Sequence, residues 1–215
     1  MLDPKEFIIT RKRKKYKFAL FANSPLCFEF DQWQGQPHAD ILEIGAGTGL
    51  FGVALAEAQP DLQIVAVDVK ADRLQAGAYR AAEKGLTNIR FLRARADQLP
   101  ELFAPDTVKT IWVTFPDPFP KDRMAKHRLT HPQFLRHYQG VLAVGGALHF
   151  KTDAPRLFEW SLERLVENQW ILSELSFDLH ESKLAMQYKI HTTYEKRYTG
   201  EGLSIHFVKA IPPQR

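Results

Sequence analysis

The sequence predicts an α/β fold, a doubly wound, mostly parallel seven-stranded sheet with one antiparallel edge strand. From about residue 39 onward, short apolar runs alternate with amphipathic stretches of helical spacing, the pattern of βαβ units. Several apolar runs end in glycine or a carboxylate, which gathers polar groups at strand carboxyl ends, where such sheets bind ligands. The last two apolar runs have no full helix between them, so one of them is expected to reverse direction at the edge.

Residues 1–35 read as a basic, aromatic N-terminal extension and residues 36–215 as one domain. ADILEIG (39–45) is the first strand and LFGVALAEAQ (50–59) the helix after it. LQIVAVD (62–68) is the second strand, followed by ADRLQAGAYRAAEKG (71–85), a helix stopped by Gly85. NIRFLRA (88–94) supplies a third strand, and the almost continuously apolar VKTIWVTF (108–115) a fourth. HPQFLRHYQGVLA (131–143) has helical spacing, weakened in its last turn by Gly140. Gly145-Gly146 is expected to turn the chain into GALHFKTD (146–153), the fifth strand. LFEWSLERLVENQ (157–169) is a helix, and WILSELSFDLH (170–180) and GLSIHFVKA (202–210) complete the set.

A chain of 215 residues with 45% hydrophobic content suffices for one sizeable core. No apolar run approaches the roughly 18–20 residues of a membrane span, and the start lacks the apolar stretch of a secretory signal. The single cysteine, Cys27, cannot form an internal disulfide; it reads as a small buried hydrophobe in a reducing, cytoplasmic setting. Net charge is +4, but the bases cluster: six in RKRKKYK (11–17), then Lys121, Arg123, Lys126, Arg128 and Arg136 against Asp122. Clustered bases suit a polyanion, and nucleic acid is the usual one. His127 and His131 stand four apart without a third ligand, so no metal site is expected.

LEIGAGTGLFG carries Gly45, Gly47, Gly49 and Gly52. Read from Gly47 it satisfies GxGxxG, and Asp68 sits where a ribose-binding acid belongs. Glu43 bears on which nucleotide would bind. A pyrophosphate wants amide donors and a helix N-terminus, and an acid close by repels it. S-adenosylmethionine has no phosphate but carries an ammonium and a sulfonium, so the loop favours that methyl donor over NAD(P). Asp68 serves either, because a carboxylate can accept from both ribose hydroxyls.

FPDPFPKDRMAKHRL (115–129) sets Asp117 between two prolines and follows it with bases. Proline fixes φ and donates no hydrogen bond, so this is a rigid bracket at the end of the fourth strand.

Together, LEIGAGTG, FPDPFPKDRMAKHRL, LHFKTD and TTYE resemble the bacterial tRNA (guanine-N7)-methyltransferases, in order from about residue 40 to 205. The resemblance implies a class I, Rossmann-like methyltransferase that uses S-adenosylmethionine to methylate N7 of guanosine 46 in the variable loop of tRNA. Glu43, Gly45, Gly47, Gly49, Asp68 and the Ala96-Asp97 neighbourhood would serve the cofactor, with Asp117 at the junction as catalytic acid. Arg95 stands where methyltransferases often place an adenine-binding acid, which moves that role to Asp97. Lys121, Asp153, Thr192, Thr193, Tyr194 and Glu195 would meet the guanosine, while Arg123, Lys126 and Arg128 would hold the RNA. The chain departs from the family pattern at Phe119, usually tryptophan, and at Asp122, Met124, Ala125 and His127, which thin the positive charge. A monomer or homodimer with tRNA as partner is expected.

Overall fold

The computed structural model describes residues 3, 12–34, 36, 38–190, 195 and 203–214, with backbone only at residues 12 and 13. Its strands are β1 (Cys27–Glu29), β2 (Ile41–Ile44), β3 (Ile64–Asp68), β4 (Ile89–Arg93), β5 (Val108–Thr114), β6 (Leu142–Thr152), β7 (Ile171–Ser176) and β8 (His206–Ile211). They form one sheet in the order β1-β4-β3-β2-β5-β6-β8-β7. Every residue of β2 is buried, as are the first four of β3, because helices cover both faces of the sheet.

The helices α1 (Lys12–Ala22), α2 (Leu50–Ala58) and α3 (Ala71–Glu83) share one face. Phe21, Phe51, Leu55, Leu74 and Ala78 pack there against Ile41, Ile64, Phe91 and Trp112 of the strands. The opposite face carries α4 (Leu99–Leu102), α5 (Pro132–Val141) and α6 (Pro155–Glu167), whose Leu135, Tyr138, Phe158 and Leu165 meet Leu42, Val65, Ile111 and Phe150. Two apolar layers around a parallel sheet are the doubly wound architecture expected from the alternation.

Three details differ from the sequence reading. The eighth strand, β1, pairs in parallel with Phe91–Arg93 from within the lead-in; three residues are too few for alternation to register. The antiparallel strand is β8, and it lies between β6 and β7 rather than at the edge. Four of its six residues are buried, whereas β7 alternates exposed and half-buried positions, so the more apolar strand takes the interior. Gly145-Gly146 lies inside β6 instead of before it. A Cβ at Gly146 would stand 3.0 Å from the Lys109 carbonyl and 3.1 Å from that of Val108, where the β5–β6 register shifts. Cys27 is buried as expected, and burial pushes its thiol up to about 12. No helix among the described residues is long and apolar enough to cross a membrane.

Candidate active site

Strand order reverses between β2 and β5, the place where doubly wound sheets hold ligands. A cavity of about 450 Å³ opens there at the strand carboxyl ends, within the usual range for a small-molecule site. Its lining includes Glu43, Gly45, Gly47, Asp68, Ala96, Asp117 and Asp153.

At one end lies the glycine loop between β2 and α2. Gly47 sits at φ 57°, a left-handed conformation, and its amide donates to Asp68 Oδ2 at 2.8 Å. Gly52 is needed for close approach: a Cβ there would meet Glu43 Oε2 at 2.9 Å, and its amide donates to that same oxygen at 2.9 Å. The amides of Gly45 and Ala46 donate to the Val67 carbonyl, and that of Gly49 to Ala46. The amides of Gly45, Ala46, Gly47, Gly49 and Gly52 are therefore already engaged by protein acceptors and do not form an anion nest.

Glu43 is buried at 1% exposure and also faces the Thr114 hydroxyl at 3.4 Å. Burial raises its carboxyl to about 8, against the hydrogen bonds from Gly52 and Thr114 that pull it down. Asp68 is half-buried at the end of β3. Burial raises its carboxyl too, opposed by the Gly47 and Lys70 amides and the charges of Lys70 and Arg73. One oxygen takes Gly47 and the other takes Lys70 at 2.8 Å; each keeps further acceptor capacity for a hydroxyl.

Of the pair after β4, Ala96 lines the cavity and Asp97 is absent from its lining. Arg95 forks both Asp97 oxygens, at 2.8 Å each, and holds that carboxylate well below its usual range on the exposed surface. In this structure, Asp97 is turned to Arg95 rather than to an adenine.

The bracket, at the end of β5, lines the same cavity. Phe115 and Phe119 stand at φ 47° and 41°, uncommon for aromatic residues, on either side of Pro116-Asp117-Pro118. The Phe115 amide donates to the Lys151 carbonyl at 2.9 Å, anchoring the near side. Asp117 lies between them, exposed and lining the cavity. Lys121, Arg123 and Lys126 are exposed on the turn that follows, a 3₁₀ segment over Asp122–His127.

Arg128 departs from its expected role as an RNA contact. It is 6% exposed, donates to the Phe119 carbonyl at 2.9 and 3.3 Å, and lies 4.5 Å from the centroid of the Trp160 ring. The stacking face of Trp160, on α6, draws the guanidinium inward.

Asp153 follows β6, half-buried on the cavity wall. The turn into α6 is made by Thr152, whose hydroxyl accepts from the Ala154 amide at 3.1 Å, so Asp153 is not spent as a cap. Glu195 is fully buried and ion-paired with Lys151 at 3.1 Å. The predicted guanosine contacts Thr192, Thr193 and Tyr194 lie outside the described residues. At the N-terminal side, the basic run begins α1, which buries Phe21 and leaves Lys14 and Tyr16 exposed. Sequence reading missed Lys151, Thr114 and Trp160. Lys151 alone carried a signal, a charged base within the mostly apolar ALHF-T strand.

A family model described as "Putative methyltransferase" matches residues 37–208. The chain is 38% identical over 197 residues to the tRNA (guanine-N(7)-)-methyltransferase of Brevibacillus brevis, covering 90% of this chain and 91% of that one. It is 40% identical over 172 residues to the protein of that name from Cytophaga hutchinsonii, covering 79% and 78%. Among solved structures it is similar in fold to the 16S rRNA methyltransferase KamB, with a TM-score of 0.63 at 21% identity over 86% of this chain and 93% of that chain. With the glycine loop and proline bracket meeting around one cavity and the matches spanning most of its length, the chain belongs to the tRNA (guanine-N(7)-)-methyltransferase family.

Proposed function

We propose that this chain transfers a methyl group from S-adenosylmethionine to N7 of a guanosine in tRNA, and specifically to guanosine 46 of the variable loop, as the family resemblance implies. The observation that carries this reading is one cavity lined by acids from neighbouring strand ends: buried Glu43 beside the glycine loop, with Asp117 after β5 and Asp153 after β6.

The cavity suits the methyl donor. Engaged loop amides and a buried carboxylate disfavour a pyrophosphate and favour a cationic amino acid moiety. Glu43 would answer the ammonium, Asp68 the ribose hydroxyls, and Ala96 would leave room for the adenine. When bound, S-adenosylmethionine supplies a methyl carbon activated by its sulfonium.

Guanine N7 has an in-plane lone pair and no proton, so the chain need not supply a general base. Its task is orientation, setting N7 in line with the methyl group. Asp117 is suited to this because the bracket fixes its backbone. A carboxylate is a two-acceptor fork that matches guanine's N1–H and N2–H₂ edge, and adenine lacks that pair. Asp117 or Asp153 would thus select guanine and offset the positive charge arriving on the purine. Lys121, Arg123 and Lys126, with the basic start of α1, would hold the RNA backbone. A tRNA substrate and a lone reduced cysteine suit a cytoplasmic enzyme.

The test is to incubate unmodified tRNA with labelled S-adenosylmethionine and map the modified base. 7-Methylguanosine at position 46 is expected; label on another atom, or none, overturns the reading.

A further inference from the structure

The two basic clusters stand on one rim of the sheet, on either side of the cofactor wall. The turn with Lys121, Arg123 and Lys126 follows β5. The helix α1 leads through residues 23–26 into β1, which runs parallel to β4, so its first turns lie toward the strand carboxyl ends. Phe18, in the middle of α1, meets the guanidinium of Arg93, the last residue of β4, at 5.3 Å. Lys14 and Lys15, one turn before Phe18, therefore belong to the rim where the cavity opens. From β1 to β5 the order is β1-β4-β3-β2-β5, a span of about 19 Å at roughly 4.8 Å per strand. A phosphate backbone that touches both clusters must cross the carboxyl ends of β4, β3 and β2.

Two exposed cations stand on that line. Lys70 and Arg73 follow β3 at the start of α3, and both line the cavity. Their charges reach Asp68 and favour its ionised form. The methyl donor offers them no anion there, because the adenosine half that Asp68 would hold is uncharged. Neighbouring guanidiniums are committed to the protein. Arg93 pairs with Glu29 at 3.2 Å and donates to the Val69 carbonyl at 3.3 Å, and Arg95 forks Asp97. Arg93 thus braces the rim, and Lys70 and Arg73 present charge above it.

We propose that the tRNA backbone runs from α1 to the turn after the bracket across Lys70 and Arg73, each meeting a phosphate, and so closes over the adenosine half of the cofactor site. An order of binding follows: the methyl donor enters before tRNA, and its demethylated product leaves after tRNA. The inference rests on the proposed tRNA guanine-N7 activity and adds to it a path for the RNA.

The full chain with Lys70→Ala and Arg73→Ala together tests the path; both side chains are exposed, so the core is untouched. The slope of log tRNA affinity against log salt should become shallower by roughly 0.7–0.9 for each charge removed. Affinity for S-adenosylhomocysteine, which has no methyl group to transfer, should stay near wild type. Saturating unmodified tRNA should slow release of labelled S-adenosylhomocysteine from the wild type by about tenfold, within the usual range of coupling between two ligands. The double variant should show less slowing. An unmoved salt slope overturns the path, and if cofactor affinity falls instead, the two cations serve Asp68. Release that ignores bound tRNA overturns the closure and the order. Wild-type protein that binds tRNA with these slopes but leaves guanine N7 unmethylated sinks the functional reading and leaves the path standing. Protein that binds no tRNA overturns both.

Discussion

Arg128 donates to the Phe119 carbonyl at 2.9 Å while its guanidinium stacks 4.5 Å from the Trp160 ring. The last base of the FPDPFPKDRMAKHR run is thus a strut that ties the bracket to α6, holding Phe119 at its positive φ. Arg128→Ala should cost roughly 1–3 kcal/mol in denaturant unfolding, the scale of a lost hydrogen bond to a charged group. It should lower methyl transfer by loosening Asp117 while leaving the salt dependence of tRNA binding unchanged. Arg128→Lys should not restore the wild type, because an ammonium can neither fork to the carbonyl nor stack as a plane. A shallower salt slope in Arg128→Ala would return this residue to the RNA surface.

The neighbouring bases should behave in the opposite way. Lys121, Arg123 and Lys126 are exposed, and among the described residues their side chains have no buried partner to lose. Each changed to alanine should leave stability within about 0.5 kcal/mol of the wild type. Each should also make the slope of log affinity against log salt shallower by roughly 0.7–0.9 for tRNA. Binding titrations from low to moderate salt check this, and a slope unmoved by the triple variant would remove the turn from the RNA interface.

That contrast shows where sequence reading stops. The glycine loop, Glu43, Asp68 and the bracket were legible because their chemistry follows from local spacing: φ > 0, close approach and two prolines around one acid. The division between Arg128 and its exposed neighbours was not, since Trp160 lies 32 positions away and reaches Arg128 only through α6 packing on the bracket. The same holds for Asp97, whose outward turn depends on Arg95, and for β8, whose interior place is decided by burial against β6 and β7. Lys151 was visible as an oddity in an apolar strand, yet its partners come from residues 39 and 44 positions further on.

Asp117 is exposed on a fixed backbone, so it can be altered without disturbing the core. Asp117→Asn keeps the size but replaces one acceptor with a donor, which would face guanine's N2–H₂ or N1–H and clash with it. Methyl transfer should fall by about 10²–10³-fold, the scale of a removed electrostatic contact in a transition state. Melting temperature and cofactor binding should stay near wild type. Turnover within a few-fold of wild type would take the catalytic assignment away from Asp117 and leave Asp153 as the candidate.

Glu43 links the site to pH. Burial first, then the Asp68 charge, lifts its carboxyl from 4.5 to about 8, despite the Gly52 and Thr114 hydrogen bonds. Between those values the folded chain holds a proton that the unfolded chain has released. Its contribution to stability is therefore complete below about pH 4.5 and is lost as pH rises through 8. Glu43→Gln retains an acceptor for the Gly52 amide and cannot ionise. Its melting temperature should fall less than the wild type's between pH 5 and 8, ending higher at pH 8 by an amount on the order of several degrees. A cationic ligand acts in the reverse direction, because it stabilises the ionised carboxylate. Binding of S-adenosylmethionine near pH 7 should then release protons, and affinity should strengthen from about pH 6 to 7.5 in the wild type more than in Glu43→Gln. Calorimetry in buffers of different ionisation enthalpy measures that release directly. Zero proton release in the wild type, or the same release in Glu43→Gln, would separate Glu43 from the ligand's charge and leave it as a brace for Gly52.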